Sequence, residues 1–202
     1  MNKRQQKKRT KMQNKKLIKR YPFLLPRNCW TGKVVDDYDY SYTEYDCIDI
    51  GWRKAFGKLL LEDLREACIK TNYLYELRLE QIKEKYGQLR IYTNAAPQEI
   101  HDVIRKYEFI SEYVCIHCGK PEAIVVNNYG WMLPLCKDCW NASNKRRESK
   151  ELETIPWKIA SHNQITGLPD SYKLTIFSQG KEIVKEIDIS KTTKKIKRKY
   201  QK

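Results

Sequence analysis

Two cysteine pairs, Cys115-Ile-His-Cys118-Gly and Cys136-Lys-Asp-Cys139, stand 17 residues apart. Two residues between cysteines let one tight turn present both sulfurs to a single tetrahedral ion. Gly119 follows the first pair, where the backbone must turn away from the metal. Between the pairs, Ala123–Val126 and Trp131–Leu133 flank Asn127-Asn128-Tyr129-Gly130, a turn sequence, so a hairpin brings the pairs together. The second pair runs into Trp140 and a helical pattern ending in the polar stretch 141–150. Its sulfurs then sit at a helix N-terminus, where backbone N–H groups stabilise thiolates. Knuckle, hairpin and helix in that order make a treble clef. Cys115, Cys118, Cys136 and Cys139 are the expected ligands of one zinc ion, with iron in a rubredoxin-like site the main alternative. His117, inside the knuckle, is expected to point outward. Four thiolates fill the tetrahedron, whereas a catalytic zinc keeps a position open, so the expected role is structural.

The remaining cysteines, Cys29, Cys47 and Cys68, do not pair at metal spacing and read as buried or free thiols. That usage fits a reducing compartment. The basic N-terminus has no apolar run behind it, which argues against a secretory signal, and no stretch reads as a membrane span.

Charge is the second constraint. The formal net charge is +15, but it is segregated. Residues 1–20 carry ten Lys/Arg and no acid, and residues 191–202 carry seven and no acid. Taking these 17 from the 40 Lys+Arg leaves 23 against all 25 Asp+Glu over 21–190, a net of −2. A near-neutral globule (21–190) with two disordered basic tails (1–20 and 191–202) is expected. Lysine-rich arms bind phosphate backbones by counterion release. Lys3, Arg4, Lys7, Lys8, Arg9, Lys194, Lys195, Lys197, Arg198 and Lys199 are therefore the candidate nucleic-acid contacts, DNA or RNA alike. A merely solubilising role is the plainer reading.

Within the globule the pattern is α+β. Tyr38, Tyr40 and Tyr42 alternate with acids and hydroxyls over 36–46, the period of a strand. That strip is either an edge strand or an acidic docking surface, Asp36, Asp37, Asp39, Tyr40 and Glu44, for a cationic partner or for the protein's own tails. A calcium loop is excluded, because a run from Asp37 has Tyr42 where glycine is needed and Ile48 where glutamate is needed. Trp52, Phe56, Leu59, Leu60, Leu64, Ala67 and Cys68 trace an amphipathic helix. Residues 75–93 read as a hairpin turning at Gly87. Pro97 opens a second helix whose inner stripe is Ile100, Val103, Ile104, Tyr107 and Ile110. His101 has no second ligand type one turn on. A C-terminal hairpin, with Tyr172, Leu174 and Ile176 before Ser178-Gln179-Gly180 and Ile183, Ile187 and Ile189 after, reads as an appendage. The expected division is a body (21–114), a zinc finger (115–150) and the appendage (151–190).

No phosphate-binding loop or nucleophile elbow is present. A treble-clef nuclease needs histidines on the hairpin and helix, and these segments have none. Pro169-Asp170 with Glu182 and Lys185 is one residue too long for a metal-dependent nuclease pattern. The chain therefore reads as a non-enzyme.

The order YPFLLPRNCWTGKVVDDYDYSYTEYD, GWRKAFG, QIKEKYGQLRIY, EIHDVIRKYEFISEYVCIHCGKP and GWMLPLCKDC is similar to a group of small phage and prophage proteins over roughly 21–140. The N-terminal basic run and the hairpin after 150 depart from that group. The resemblance implies that Cys115, Cys118, Cys136 and Cys139 are metal ligands and that the setting is a bacterial host cytoplasm. It carries no established activity. Phage accessory proteins bind nucleic acid or host components, so two readings follow. One is a zinc protein contacting nucleic acid through its tails. The other is a protein-binding inhibitor of a host defence complex, of the anti-CRISPR kind, using the acidic strip. An unrecognised hydrolase is the third.

Overall fold

Four-residue recurrence of bulky side chains at Trp52, Phe56, Leu60, Leu64 and Cys68 drifts by about 40° per step on a 3.6-residue helix. The computed structural model, which describes residues 2–28, 30–160, 168–178 and 181–200, shows how the drift is absorbed. Helix α2 (Ile50–Trp52) passes through a π turn (Arg53–Gly57) into α3 (Lys58–Lys70), and all five side chains are buried. Helix α4 (Gln98–Ser111) packs against α3 through Ile100, Ile104, Tyr107 and Ile110.

The fold is α+β, with its strands in three antiparallel hairpins. The first pairs β1 (Leu79–Lys85) with β2 (Gln88–Thr93). Its turn residues Tyr86 and Gly87 both have positive φ, 55° and 82°, as a two-residue I′ turn requires. The outer edge of β2 is closed by helix side chains. Glu108 accepts from the Ile91 N–H at 3.0 Å and Ser111 Oγ from the Leu89 N–H at 2.8 Å. The second hairpin pairs β3 (Ile124–Asn128) with β4 (Trp131–Leu135), turning at Tyr129 and Gly130. A Cβ on Gly87 would lie 2.6 Å from Val125 Cγ1, so the first turn rests directly on β3. Helix α5 (Lys137–Glu148) follows. The third hairpin pairs β5 (Ser171–Ser178) with β6 (Lys181–Asp188) and is joined to α4 by Tyr172 stacked on Phe109, centroids 4.6 Å apart. One continuous cluster of buried side chains runs from Tyr21 to Ile196, so body, finger and hairpin share a core. The Gln179-Gly180 turn, residues 161–167, Cys29 and the side chains of 174–183 lie outside the described residues.

Three expectations are corrected. Residues 36–46 form no strand. Asp37 and Tyr40 take left-handed backbone (φ 54° and 65°), and Asp39 accepts from the Ser41 N–H at 2.9 Å. Short acidic side chains that bond their own backbone favour turns. The tyrosines pack on one another instead, Tyr38 to Tyr40 at 4.9 Å and Tyr38 to Tyr42 at 5.6 Å.

The N-terminal basic run is helical. Helix α1 (Lys3–Arg20) starts with a reciprocal Asn2–Gln5 capping box. Its second half docks: Lys11 pairs with Asp39 at 2.5 Å, Asn14 donates to the Tyr40 carbonyl, Leu17 and Ile18 meet the core, and Arg20 pairs with Glu62 at 2.7 Å. The acidic strip thus receives the protein's own terminus. The C-terminal run is helical too, as α6 (Ser190–Arg198), because Ile189, Thr192, Thr193 and Ile196 make a buried stripe among the lysines.

Stability should follow this placement. Ile196 is 0 % exposed, so Ile196→Ala should cost about 2–5 kcal/mol and lower the thermal midpoint. Deleting residues 1–9, all described side chains of which are exposed, should leave the midpoint unchanged. Equal midpoints for wild type and Ile196→Ala would contradict the docking of α6. A pH dependence follows as well. Lys11 and Ser41 hold the Asp39 carboxyl down from 3.8 to about 2. Its contribution to α1 docking is complete above the unfolded value and is lost as pH falls through about 2. Amide protection along Lys11–Ile18, relative to the intrinsic exchange rate at each pH, should therefore fall as pH drops below the unfolded pKa and stay constant above it.

Candidate metal centre

The cysteine ligands are assembled from two local structures. The first is the knuckle: the Cys115 N–H donates to the Lys120 carbonyl and the Gly119 N–H to the Cys115 carbonyl, each at 2.8 Å, with Gly119 at φ 88°. In the second, Cys136 is the N-cap of α5 and Cys139 lies in its first turn, the Trp140 N–H closing onto the Cys136 carbonyl at 2.9 Å. Antiparallel pairing of β3 with β4 brings the two together, and the Ile116 N–H reaches the Pro134 carbonyl of β4 at 2.9 Å.

The four Sγ atoms all lie within 4.8 Å of one another, and Cys118 and Cys136 Sγ are 3.5 Å apart. A tetrahedral ion with sulfur ligands at ~2.3 Å needs sulfur separations near 3.8 Å, so the cluster can hold a metal ion with small adjustments. Cys115 and Cys136 are 0 % and 2 % exposed, and Cys118 and Cys139 are half-buried. The Cys136 thiol, with backbone N–H groups of Cys136, Cys118 and His117, holds Cys115 down to about 4. Cys136 is pushed up in return, and burial raises Cys139 to about 12. One thiolate is easily formed; the others need a cation to replace their protons, which couples metal uptake to proton release.

The knuckle rests on the start of α2. The Gly51 N–H donates to the Ile116 carbonyl at 2.9 Å, and a Cβ on Gly51 would stand 2.2 Å from the Cys115 carbonyl oxygen. Trp52, wholly buried, donates its indole N–H to the Ser111 and Val114 carbonyls at 3.1 and 2.9 Å, fixing the chain just before Cys115. On the far side the Tyr200 hydroxyl donates to the Cys118 carbonyl at 3.4 Å. Lys120 and Asp138 pair at 2.5 Å across the two halves. Neither Gly51 nor Tyr200 belongs to a motif in the sequence. The Gly-Trp step before an apolar stripe was the available signal.

The other candidate residues fall as follows. Lys3, Arg4, Lys7, Lys8 and Arg9 are exposed on the first turns of α1 and make no ion pair among the described residues. Lys194, Lys195 and Arg198 are exposed on α6. Lys197 lies 3.8 Å from Asp170. Lys199 is not free: its ammonium donates to the Lys54 and Ala55 carbonyls in the π turn, at 3.2 and 2.8 Å, and burial lowers its pKa. Of the acidic strip, Asp39 and Tyr40 are engaged by α1. Glu44 is half-buried at the start of a 3₁₀ turn, Glu44–Cys47, and Asp36 and Asp37 are exposed. The His117 side chain is exposed on the knuckle and is not grouped with the four sulfurs; Cys47 is exposed and Cys68 is buried, both outside the cluster.

Cys118→Ser should lower metal content and thermal midpoint together, since a structural site lends its binding free energy to the fold. Gly51→Ala forces a methyl onto the knuckle backbone and should cost about 1–3 kcal/mol while leaving all four thiols in place. Purified protein without stoichiometric metal by elemental analysis would refute the ligand set. No helix among the described residues is long and apolar enough to cross a membrane. No family model, curated protein or solved structure matches the chain.

Proposed function

We propose that this chain is a non-enzymatic, phage-type accessory protein of the bacterial cytoplasm. Its four thiolates hold one zinc ion, and helices α1 and α6 contact the phosphate backbone of nucleic acid. Zinc is the assignment the donor set favours: four sulfurs within 4.8 Å of one another, with no other ligand residue grouped with them among the described residues. A complete thiolate shell supports a structural role, because no position is left for water or substrate.

The observation that carries the nucleic-acid reading is the first half of α1. Its cations are exposed and make no ion pair among the described residues; Lys3 and Lys7 border a cleft they share with Asp39, which Lys11 already holds, and Arg4, Lys8 and Arg9 lie outside that cleft. At 100° per residue, Arg9, Lys16 and Lys19 line the side of the helix opposite Asn14 and Ile18, which face the core, with Lys8 on the flank. Like charges at i,i+4, such as Lys3–Lys7 and Arg4–Lys8, each cost about 0.2–0.5 kcal/mol in isolation, and a polyanion relieves them. Lys194, Lys195 and Arg198 add a second cationic face on α6.

The inhibitor reading needs the acidic strip as a free surface, and Asp39 and Tyr40 are occupied by α1. Nucleic acid is therefore the better-supported partner.

The test is the salt dependence of duplex DNA binding. Removing residues 1–9 deletes Lys3, Arg4, Lys7, Lys8 and Arg9. The slope of log K against log salt should flatten by up to ~4, at about 0.9 for each phosphate that is no longer neutralised. An unchanged slope and affinity in the shortened chain would overturn the proposal for α1.

A further inference from the structure

Trp30 is 92 % exposed, the most exposed of the large apolar side chains among the described residues. It does not sit on a slack loop. The Asn28 carboxamide oxygen accepts from the Trp30 and Thr31 N–H groups at 2.9 and 3.0 Å. The Asn28 N–H donates to the Lys33 carbonyl and the Gly32 N–H to the Asn28 carbonyl, both at 2.8 Å. Arg27 and Val34 close the base of the loop as an antiparallel bridge. Hydrogen bonds between Asn28 and the Trp30 and Thr31 backbone hold the indole in water, where its ring is open to a partner.

The surroundings say to what. A cavity of ≈ 210 Å³ is lined by Trp30 together with Arg27, Asn28, Thr31, Gly32, Arg78, Leu79 and Glu80. Gly32, at φ 67°, lets Arg78 approach: a Cβ there would lie 2.5 Å from Arg78 Nη1. Arg27 donates one N–H to the Gly32 carbonyl at 3.0 Å and keeps its other donors. Arg78 makes no side-chain hydrogen bond or ion pair among the described residues, and Glu80 pairs with neither arginine. The lining therefore keeps a net +1 with uncommitted guanidinium donors, the groups that fork onto phosphate oxygens. A protein anchor is ringed by apolar contacts that exclude water, and this indole is ringed by polar and basic ones.

We infer that this loop is a subsite for one unpaired nucleotide of a single-stranded nucleic acid, its base stacked on Trp30 and its phosphate held by Arg78 and Arg27. The basic helices grip backbone without regard to strandedness, whereas an indole face needs a base that is free of its partner. The subsite is independent of α1 and adds a preference for single strands.

The experiment measures binding of the full chain to a mixed-sequence 15-nucleotide DNA strand and to its duplex by fluorescence anisotropy. Trp30→Ala should weaken single-strand binding roughly 5- to 100-fold and duplex binding less than about twofold, and Trp30→Phe should recover most of the loss. Arg78→Gln should weaken single-strand binding and flatten its salt slope by ~0.7. Circular dichroism and melting should be unchanged, because the ring is solvent-exposed. Single-strand affinity unchanged by Trp30→Ala, or an equal loss for strand and duplex, overturns the subsite; the first result would leave Trp30 to a protein partner. Shortening α1 separates the two proposals: a flattened slope with an inert Trp30 keeps the helices and removes the subsite, and the reverse keeps the subsite alone.

Discussion

The start of α2 against the cysteine knuckle is the contact on which the rest of the structure depends. A backbone N–H can reach the Ile116 carbonyl only if nothing projects from Gly51, because the Cys115 carbonyl already fills the space a side chain would need. Trp52, one residue on, cannot share that face; it turns into the core and secures the segment before the first ligand with two indole hydrogen bonds. A residue with no side chain and one with the largest therefore do complementary work on the same strip of chain. The core helix and the cysteine cluster become one unit: knuckle geometry is held by a helix whose own position is set by Phe56, Leu60 and Leu64. Cysteine sulfurs held within 4.8 Å of one another before a cation arrives reduce the ordering that binding must supply.

What could be read from sequence divides along the range of the forces involved. The clustering of the four cysteines, the first two hairpin turns and the amphipathic helices were legible, because a CxxC spacing, a Tyr-Gly or Asn-rich turn and a 3.6-residue stripe are each decided within a few residues. The alternation of Tyr38, Tyr40 and Tyr42 misled for the same reason. Period two says strand only if one face has a core to meet, and here the rings meet one another and α1. The terminal runs failed differently. Their charge density concealed Leu17, Ile18, Thr193 and Ile196, few in number but enough to dock a helix when Asp39, Glu62 and Asp170 stand opposite. Long-range pairing of that sort has no local signature.

Charge segregation then takes a different meaning. The globule's small excess of acid is not a uniform background. Asp39 receives Lys11, Glu62 receives Arg20, and Asp170 receives Thr193 with Lys197 nearby. These pairs are exposed or partly exposed, and individually each is worth little. Their effect is directional: they choose which cations of each helix turn inward and leave the others outward. The protein uses acids to orient its bases, so the exposed cations form faces on helices where a disordered arm would present a cloud.

The C-terminal helix carries that logic back to the metal. A π turn widens the helix and leaves carbonyls unevenly satisfied. Lys199 supplies hydrogen bonds to two of them, at Lys54 and Ala55, and the next residue, Tyr200, reaches the Cys118 carbonyl within the knuckle. Gly119 faces both Gly51 and Tyr200 at distances that exclude a Cβ, so helix start, knuckle and C-terminus meet at one point. A basic segment that closes over the outside of the cysteine knuckle is positioned by it. The cationic face of α6 is thus presented at a fixed place relative to the thiolate cluster, and the geometry of one depends on the integrity of the other.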